Sequence, residues 1–485
     1  MAPIALRQIF TCLSTPGPHT CFEGIQLLPP SHYLVINDVG KDATVTEKAY
    51  WELDFPDAGS EVDTDQPEKL VNRLDELLQQ AVKRRLQADV PVVAYQSGGV
   101  DSSIITAIAN RQLGYPIPSY TIRMDSPELD ESKEAGNVAR HIGSDPHFLT
   151  YGAAQMFATY PRLIHAAEYP VIDTSCASLL LLAEKVHQDG YKVVLTGEGS
   201  DEWFAGYPWY KIHRMVNWLD AIPGIPGSDW LRCIWRGMLQ LGGARVFPRS
   251  MELHDYQAGG GMNAWMDFYT QLGLNKLRFM TPQMLEGATP YELEDLPLPF
   301  ERMWKWHPLN RGLAWGIRLQ LAGMLLQAKG DRIAMNSSVE TRYPFLDEDV
   351  FDFTATLHPR WKLRGFHDKY LLRNVAERYL PHSIAQRRKV IFRGRFDSFF
   401  TQPNPPAYVE QLLSPESIRK AGYFEYEAVH KMIKYIQTGF RMPGPRLMIE
   451  MGLVGVLATQ LWHHYFIDSS LADLPAYDFP QRLVA

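Results

Sequence analysis

Residues 97–103 form a glycine-containing turn between a strand pattern and a helix pattern, and this turn constrains the fold more than any other stretch. The run 90–95 before it is apolar and β-branched, which predicts a buried strand, and the run 104–109 after it predicts a helix packed on that strand. Gly98 and Gly99 let the backbone bend sharply and approach a ligand closely. The flanking serines can cap the helix, whose free N–H groups attract anions. The sequence therefore predicts a phosphate site at this turn.

Two common phosphate-binding motifs are absent from this turn. A P-loop needs G-x-x-x-x-G-K-[ST] and a dinucleotide fingerprint needs G-x-G-x-x-G, and neither is present here. The run Ser97–Ser103 instead resembles the pyrophosphate loop of the ATP pyrophosphatase (PP-loop) enzymes. That resemblance implies cleavage of ATP between its α and β phosphates, with AMP left on an oxygen of the substrate. An ordinary strand–helix turn is the alternative, but Asp101 and the serines agree with the glycines.

Strand and helix patterns alternate between residues 67 and 195. Their alternation predicts βαβ units and a parallel sheet, so we expect an α/β fold. Ligands of such sheets bind at the carboxyl ends of the strands. The helices are predicted over 67–86, 130–142 and 175–186, and the strands over 119–124, 146–151 and 191–195.

A second loop, Thr196–Glu202, follows the last of these strands, so it is expected to face the first loop across one crevice. Each loop carries an aspartate just beyond its turn, Asp101 in the first and Asp201 in the second. Magnesium binds through one or two carboxylates plus phosphate oxygens, so this pair predicts a magnesium site. The alternative role for Asp201 is a helix N-cap, and the two roles can coexist.

Composition limits the class of protein. The 485 residues are 46% hydrophobic with a net charge of −7, which is typical of a globular enzyme and argues against a large nucleic-acid surface. The four cysteines show no C-x-x-C spacing, which fits a reducing cytosol. There is no signal-peptide pattern, and the apolar run Met451–Leu461 is too short to span a bilayer and predicts a buried helix. We therefore expect a cytoplasmic protein without membrane or nucleic-acid partners.

Four other regions carry weaker patterns. Residues 1–60 predict a small β-rich piece, and residues 208–320 predict mostly helices. The charged residues within 330–347 suggest buried ion pairs that hold a turn rather than catalytic groups. Lys389 stands between apolar neighbours, which favours a cation that points inward, where it would stabilise the charge of a leaving pyrophosphate.

With these segments in order, the chain resembles the glutamine-dependent asparagine synthetase family over most of residues 60–466. The landmarks are residues 81–86, the two loops, Gly206-Tyr207, the stretch 330–347, Lys389 and a final helix with Trp462. The resemblance implies an α/β PP-loop (adenine nucleotide alpha hydrolase-like) synthetase domain with extra helices over 61–485. It implies ATP and Mg²⁺ as cofactors.

The same resemblance assigns roles to individual residues. Asp101 and Asp201 would bind Mg²⁺, and Lys389 would support both adenylation and amide formation. Glu198 matches a glutamate of asparagine synthetases where β-lactam synthetases have tyrosine, which favours amide transfer over ring closure. The pyrophosphate would be held by Ser97, Gly98, Gly99, Asp101, Ser102 and Ser103. The adenosine would contact Tyr95, Ile122, Thr196 and Gly197.

The N-terminal part departs from the family. Residues 7–51 resemble only the tail of the family's glutaminase domain, so residues 1–60 are interpreted as a β-rich remnant without the nucleophilic cysteine, which neither Cys12 nor Cys21 replaces. Nitrogen would come from free ammonia, from a separate glutaminase subunit or from an amine on a small-molecule or peptide carboxylate substrate. Gln96 stands where leucine is usual, and Arg123-Met124 where a glycine and an apolar residue are usual.

Several functions remain open at this stage. The first is an amide ligase that adenylates a carboxylate and adds ammonia. The second is a macrolactam- or β-lactam-type cyclase or condensing enzyme that uses a substrate amine. The presence of Asp101, Asp201 and Lys389 argues against a non-catalytic subunit. An enzyme that thiolates tRNA would need reactive cysteines or a basic RNA-binding surface, and neither is evident in the sequence. The carboxylate and the oligomeric state, including a homodimer, are left open.

Overall fold

The computed structural model describes residues 1–37, 40, 43–220, 234, 237, 260–261, 263–265, 273–288, 296–390, 392–439 and 443–475. Its centre is a five-stranded parallel sheet in the order β5-β4-β3-β6-β7, and two small antiparallel hairpins, β1-β2 and β8-β9, stand apart from it. The strands are β1 (His32–Asn37), β2 (Thr44–Ala49), β3 (Val92–Tyr95), β4 (Ser119–Met124), β5 (Pro146–Tyr151), β6 (Val193–Leu195), β7 (Glu340–Arg342), β8 (Leu363–Arg364) and β9 (His367–Asp368).

The sheet is buried on both faces, as the predicted α/β fold requires. Val93 and Val194 pack with Leu182 of the helix Cys176–Gln188 on one face. Ala94 and Leu195, whose side chains alternate with those two, pack on the opposite face with the helices Pro67–Arg85 and Val100–Leu113. Strands covered on both sides have near-continuous apolar runs, which is why β3 and β6 were predictable from sequence.

The first part of the chain contains eight helices among the described residues, and those at 67–85, 100–113, 132–142 and 176–188 agree with the sequence prediction. The eight helices are α1 (Pro3–Cys12), α2 (Pro67–Arg85), α3 (Val100–Leu113), α4 (Ser132–Ile142), α5 (Ala153–Ala167), α6 (Cys176–Gln188), α7 (Ser200–Trp203) and α8 (Pro208–Asp220). Because β6 pairs with β3 on the side away from β4, the chain reverses its direction across the sheet between these two strands. This reversal brings the loops after β3 and β6 together at one edge, where α/β sheets bind ligands.

The later helices surround this sheet. They are α9 (Pro282–Gly287), α10 (Phe300–Met303), α11 (Pro308–Trp315), α12 (Arg332–Asn336), α13 (Glu348–Thr356), α14 (Tyr370–Ala376), α15 (His382–Ala385), α16 (Ser398–Thr401), α17 (Ala407–Leu412), α18 (Pro415–Ala421), α19 (Tyr426–Gln437) and α20 (Pro443–Phe466). Between them lie 3₁₀ turns over 274–279, 344–346 and 359–361 and π-helical turns over 316–325 and 327–331. Much of the region 208–320, predicted to be helical, lies outside the described residues.

The N-terminal segment contains the predicted strand 33–36 within the β1-β2 hairpin, and it also contains α1, which the sequence analysis did not predict. Proline at its first helical position and the spacing of Leu6, Ile9 and Phe10 were the available signals. These three side chains are fully buried in the cluster that includes Trp462 of α20. The first helix is therefore part of the core built by the end of the chain.

The apolar run 451–461 lies within α20 and is buried, as predicted. Among the described residues, no helix combines the length and the apolar character that crossing a membrane requires. Cys12, Cys21 and Cys176 are free thiols, whereas Cys233 lies outside the described residues.

Candidate active site

Two glycine-containing loops meet at the edge where β3 and β6 end. Gly98 has φ +74°, and a Cβ there would lie 2.6 Å from the backbone nitrogen of Ala135 in α4. A Cβ on Gly197 would lie 2.5 Å from the backbone nitrogen of Ser102. The first glycine therefore lets the turn pack on α4, and the second lets the two loops touch.

The serines of the first loop brace the turn rather than cap the helix, so the expectation that they cap α3 is wrong. The N-cap is Gly99, and no side chain caps α3. Ser103 Oγ donates a hydrogen bond to the Gly99 carbonyl (2.6 Å), and Ser102 Oγ accepts one from the Ser97 N–H (3.1 Å). Without a side-chain cap, N–H groups at the start of α3 remain available to an anion.

Gln96, the position interpreted above as unusual for the family, supports the first loop through hydrogen bonds. It is 2% exposed, and its Nε2 donates a hydrogen bond to Ser103 Oγ (2.8 Å). Thr121 Oγ1 donates to the Gln96 carbonyl (2.6 Å), which joins the loop to β4. The amide therefore orders the serines of the loop.

Asp101 and Asp201 face one another across two lysine ammonium groups. Lys369 Nζ lies 2.6 Å from Oδ1 of Asp101 and 2.6 Å from Oδ1 of Asp201. Lys389 Nζ lies 2.6 Å from Oδ2 of Asp201 and 3.8 Å from Oδ2 of Asp101. Ser200 Oγ donates a further hydrogen bond to Asp101 Oδ1 (2.6 Å). The two loops thus deliver their carboxylates to one place, as the sequence predicted.

The charges in this cluster stabilise one another. Burial opposes ionisation of Asp201, but the ammonium groups of Lys369 and Lys389 outweigh it and lower the pKa of Asp201 to about 2. Burial likewise opposes protonation of Lys389, whereas Asp201 and Asp101 raise its pKa above the ordinary value. Both carboxylates of this pair of loops therefore lie beside fixed positive charge at neutral pH. The alternative role of Asp201 as an N-cap does not apply, because Gly199 caps α7.

The donor set fits a magnesium ion. Two carboxylates beside a phosphate-binding turn are the oxygen ligands that Mg²⁺ prefers. A Cβ on Gly206 would lie 1.9 Å from Asp201 Oδ1, so this glycine leaves room for the carboxylate against the backbone. The described residues contain no cluster of three or more His, Cys, Asp or Glu side chains with metal-binding geometry, so phosphate oxygens would complete the shell.

Lys369 was missed by the sequence analysis. It follows β9 and precedes α14, with φ 53°, and its side chain is 1% exposed. Its backbone N–H donates to the Phe204 carbonyl (3.0 Å), which fixes it beside the second loop. No spacing in the sequence relates position 369 to Asp101 or Asp201. A lysine before the apolar pair Leu371-Leu372 was the only local signal.

Glu198 lies in the second loop, beside further charged groups. Burial raises the pKa of its carboxyl, while Lys329 and Lys389 act in the opposite direction. Lys329 itself pairs with Asp173, its Nζ 2.7 Å from Oδ2. A carboxylate with a raised pKa is a stronger proton acceptor than an ordinary glutamate.

Glu202 and Tyr207 form a second buried pair next to the loop. The Tyr207 hydroxyl donates to Glu202 Oε1 (2.6 Å), and burial together with the negative charge of Asp201 raises the pKa of Glu202 to about 8. Burial and the nearby charge of Asp201 thus both favour the uncharged form of Glu202.

The cleft above these groups has a cavity volume of about 330 Å³. Two of the residues expected at the site do not line it: Gly98 packs on α4, and Ser103 is fully buried below the turn. Those that line it are Tyr95, Ser97, Gly99, Asp101, Ser102, Ile122, Thr196, Gly197, Glu198, Asp201 and Lys389.

The charged stretch 330–347 holds the scaffold, as the sequence indicated. Asp347, 2% exposed, accepts a hydrogen bond from Arg84 of α2 (2.7 Å) and another from Arg85. Asp331 accepts hydrogen bonds from Thr341 (2.7 Å) and Tyr343 (3.0 Å). Residues 340–342 also form β7, which the sequence analysis did not predict because this short strand carries two charged residues and no apolar run.

Comparison with known proteins agrees with the geometry. The family model described as asparagine synthase matches residues 73–464. Amidase chyE of Penicillium rubens is 26% identical over 456 residues, which cover 86% of this chain and 65% of that protein. Amidase chry2 of Gibberella zeae is 27% identical over 372 residues, 71% of this chain and 54% of that protein.

A further relative is a putative glutamine-hydrolysing asparagine synthetase of Mycobacterium tuberculosis, 26% identical over 358 residues, 73% of this chain and 52% of that protein. The chain thus spans less than two thirds of the length of each of these three relatives. A solved structure of NMN synthetase from Francisella tularensis is matched at 16% identity with a TM-score of 0.20, over 30% of this chain and 59% of that one. That likeness is too weak to support an argument.

Proposed function

Because the chain belongs to the asparagine synthase family, we propose that it is an ATP-dependent ligase that joins a carboxyl group to nitrogen through an acyl-adenylate. The observation that carries the proposal is the cluster of Asp101, Asp201, Lys369 and Lys389 at the ends of neighbouring parallel strands. It lies beside a turn whose helix N-terminus accepts phosphate.

In the first step, a carboxylate oxygen of the substrate attacks the α-phosphorus of ATP. A new P–O bond forms while the bond from this phosphorus to the bridging α–β oxygen breaks, and pyrophosphate leaves with the electron pair. Negative charge grows on the leaving group, and Lys389 and the start of α3 face that charge. A carboxylate has no good leaving group of its own, and this step supplies AMP as one.

In the second step, the nitrogen lone pair attacks the acyl carbon, and the bond to the AMP oxygen breaks. The nitrogen loses a proton, and we assign its acceptance to Glu198, which lines the cleft and whose carboxyl has a pKa raised by burial. Magnesium held by Asp101 and Asp201 would neutralise phosphate charge. The chain's own contribution is to orient two reactants and fix charges in advance.

Ammonia is the nitrogen donor in this proposal. Glu198, which matches a glutamate of asparagine synthetases where β-lactam synthetases have tyrosine, supports ammonia as the donor. The relatives named amidase and asparagine synthetase both carry names of amide chemistry. A macrolactam- or β-lactam-type cyclase that uses a substrate amine differs from this proposal only in the origin of the nitrogen.

The test mixes the protein with ATP, Mg²⁺, ammonium and a panel of carboxylic acids. We expect AMP and pyrophosphate in equal amounts together with an amide, and a fall of about 10²-fold or more for Asp101→Asn. Asp473→Asn, an exposed position far from the loops in sequence, is the control and should leave the rate unchanged. Release of ADP and phosphate, or full activity of Asp101→Asn, would overturn the proposal. A product lighter by one water and formed without ammonium would identify a cyclase.

A further inference from the structure

Part of the cleft lining consists of apolar side chains that neither loop supplies. They come from the residue after α1, from the π-helical turn 316–325, from the segment that follows Lys389 and from α20. The side chains are those of Leu13, Met324, Leu325, Phe392, Phe396 and Met451.

These walls belong to the hydrophobic core. Met324, Phe396 and Met451 are each less than a tenth exposed, and Leu13 and Phe392 pack against the core clusters. Methionine and phenylalanine side chains adapt to an irregular apolar ligand and make favourable contacts with aromatic rings. These side chains therefore give the cleft a preformed apolar surface within the same cavity as Lys389.

Three recessed ion pairs lie along the cleft, and their charged groups are poorly placed to recognise a further charge on the substrate because each already has a partner. A second carboxylate or an ammonium group on the substrate would have to break a recessed ion pair, which is costly. Arg388 and Arg393, which also line the cleft, are exposed to solvent. The cleft-lining pairs are Lys329–Asp173 (2.7 Å), Arg387–Glu131 (2.8 Å) and Arg373 with Asp368 just behind the wall (2.7 Å).

We propose that the carboxylic acid activated at this site carries an apolar body, aromatic or branched aliphatic, which packs against these walls while its carboxylate faces the phosphates. Aspartate, with one more carboxylate and an ammonium group, is the poorer substrate. This inference rests on the proposed function, because it names the substrate class of the same site.

The test measures binding separately from turnover. Ligand-observed NMR with phenylacetate and with aspartate, each in the presence of AMP and Mg²⁺, gives the affinity of the wild type for both acids. Met451→Lys places a cation in the apolar wall, and Leu447→Lys does so at a less buried lining position on the same helix. Ile467→Lys, 54% exposed just beyond α20, is the matched control.

We expect phenylacetate to bind at least tenfold more tightly than aspartate. Both cleft variants should weaken phenylacetate at least tenfold, and Ile467→Lys should not. Tighter binding of aspartate, or phenylacetate binding that neither cleft variant changes, would overturn the inference. Acid-dependent exchange of labelled pyrophosphate into ATP reports on the proposed function itself. Exchange that occurs with aspartate but with no apolar acid would overturn the inference and agree with the proposed function. Binding of phenylacetate without exchange in the presence of any acid would agree with the apolar site and refute the ligase activity.

Discussion

The ammonium group of Lys369 lies 2.6 Å and 2.7 Å from the two carboxylate oxygens of Asp101. The same nitrogen lies 2.6 Å from Asp201 Oδ1. A single buried cation therefore contacts two carboxylates whose residues are 100 positions apart in the chain. Two carboxylates at this separation would otherwise repel each other. Lys369 therefore neutralises part of the negative charge of this pair.

Replacement of this lysine should destabilise the fold in a way that magnesium corrects. Lys369→Met leaves the two buried carboxylates with Lys389 as their one nearby ammonium group among the described residues, so we expect the free energy of unfolding at pH 7 to fall by about 3 kcal/mol. Millimolar Mg²⁺ should restore part of this loss, because the ion takes the place of the ammonium charge. Urea unfolding with and without Mg²⁺ measures both effects.

The control for this variant is Lys185→Met, which removes a lysine from the exposed pair with Asp189. It should change stability by no more than about 0.5 kcal/mol, with or without Mg²⁺. If Lys369→Met lowers the free energy of unfolding equally with and without Mg²⁺, then Mg²⁺ does not compensate for the missing ammonium charge, which contradicts the prediction.

Glu198 should determine how amide formation depends on pH. Burial raises the pKa of its carboxyl, so the basic form appears only above the ordinary range of glutamate, near 4.3. Glu198→Gln should slow amide formation about 10²-fold at pH 8 and leave pyrophosphate exchange unchanged. The ratio of variant to wild-type rates should approach one as the pH falls through the pKa of Glu198. Taking this ratio at each pH cancels the titration of ammonium, and a ratio independent of pH would contradict the role as proton acceptor.

Lys362 should make stability rise with pH in the alkaline range. It is fully buried, its Nζ is 3.0 Å from Asn310 Oδ1, and burial lowers its pKa from 10.5 to about 7. Between these two pH values the unfolded chain binds the extra proton, so the native state gains stability as the pH rises from 7 to 10.5. Below pH 7 Lys362 is charged in both the folded and the unfolded state, so the native state bears the full free-energy cost of burying its charge.

Lys362→Met removes that titration. The variant should be about 2 kcal/mol more stable than the wild type at pH 7, and the difference should shrink as the pH approaches 10.5. Chemical unfolding across this range measures the difference, with Lys83→Met as the reference for the loss of an exposed lysine. A difference that stays constant from pH 7 to pH 10 would rule out the neutral lysine.

The parts of the fold that sequence could predict are those with local signals. The apolar runs at 92–95 and 193–195 identified strands, and the glycines after each identified loops. Because parallel strands end at one edge, the meeting of Asp101 and Asp201 followed from topology. The structure confirms that these residues share the cleft, while the chemical roles of Asp101, Asp201, Glu198 and Lys389 stay predictions.

The remainder depends on contacts that no local pattern encodes. Lys369 reaches the site because its backbone is anchored on Phe204, a relation across 165 residues of sequence. Leu13 enters the cleft because α1 is buried beside α20 at the other end of the chain. Strand β7 is three residues long and is specified by its pairing with β6 rather than by its own composition.

Transfer of a labelled oxygen tests the central claim most directly. A substrate acid with ¹⁸O at both carboxyl oxygens is converted with ATP, Mg²⁺ and ammonium, and the nucleotide products are examined by mass spectrometry. If the carboxylate attacks the α-phosphorus, one ¹⁸O atom appears in AMP for each amide formed, and the pyrophosphate carries none. Label in inorganic phosphate with formation of ADP, or AMP that contains no ¹⁸O, would contradict the account.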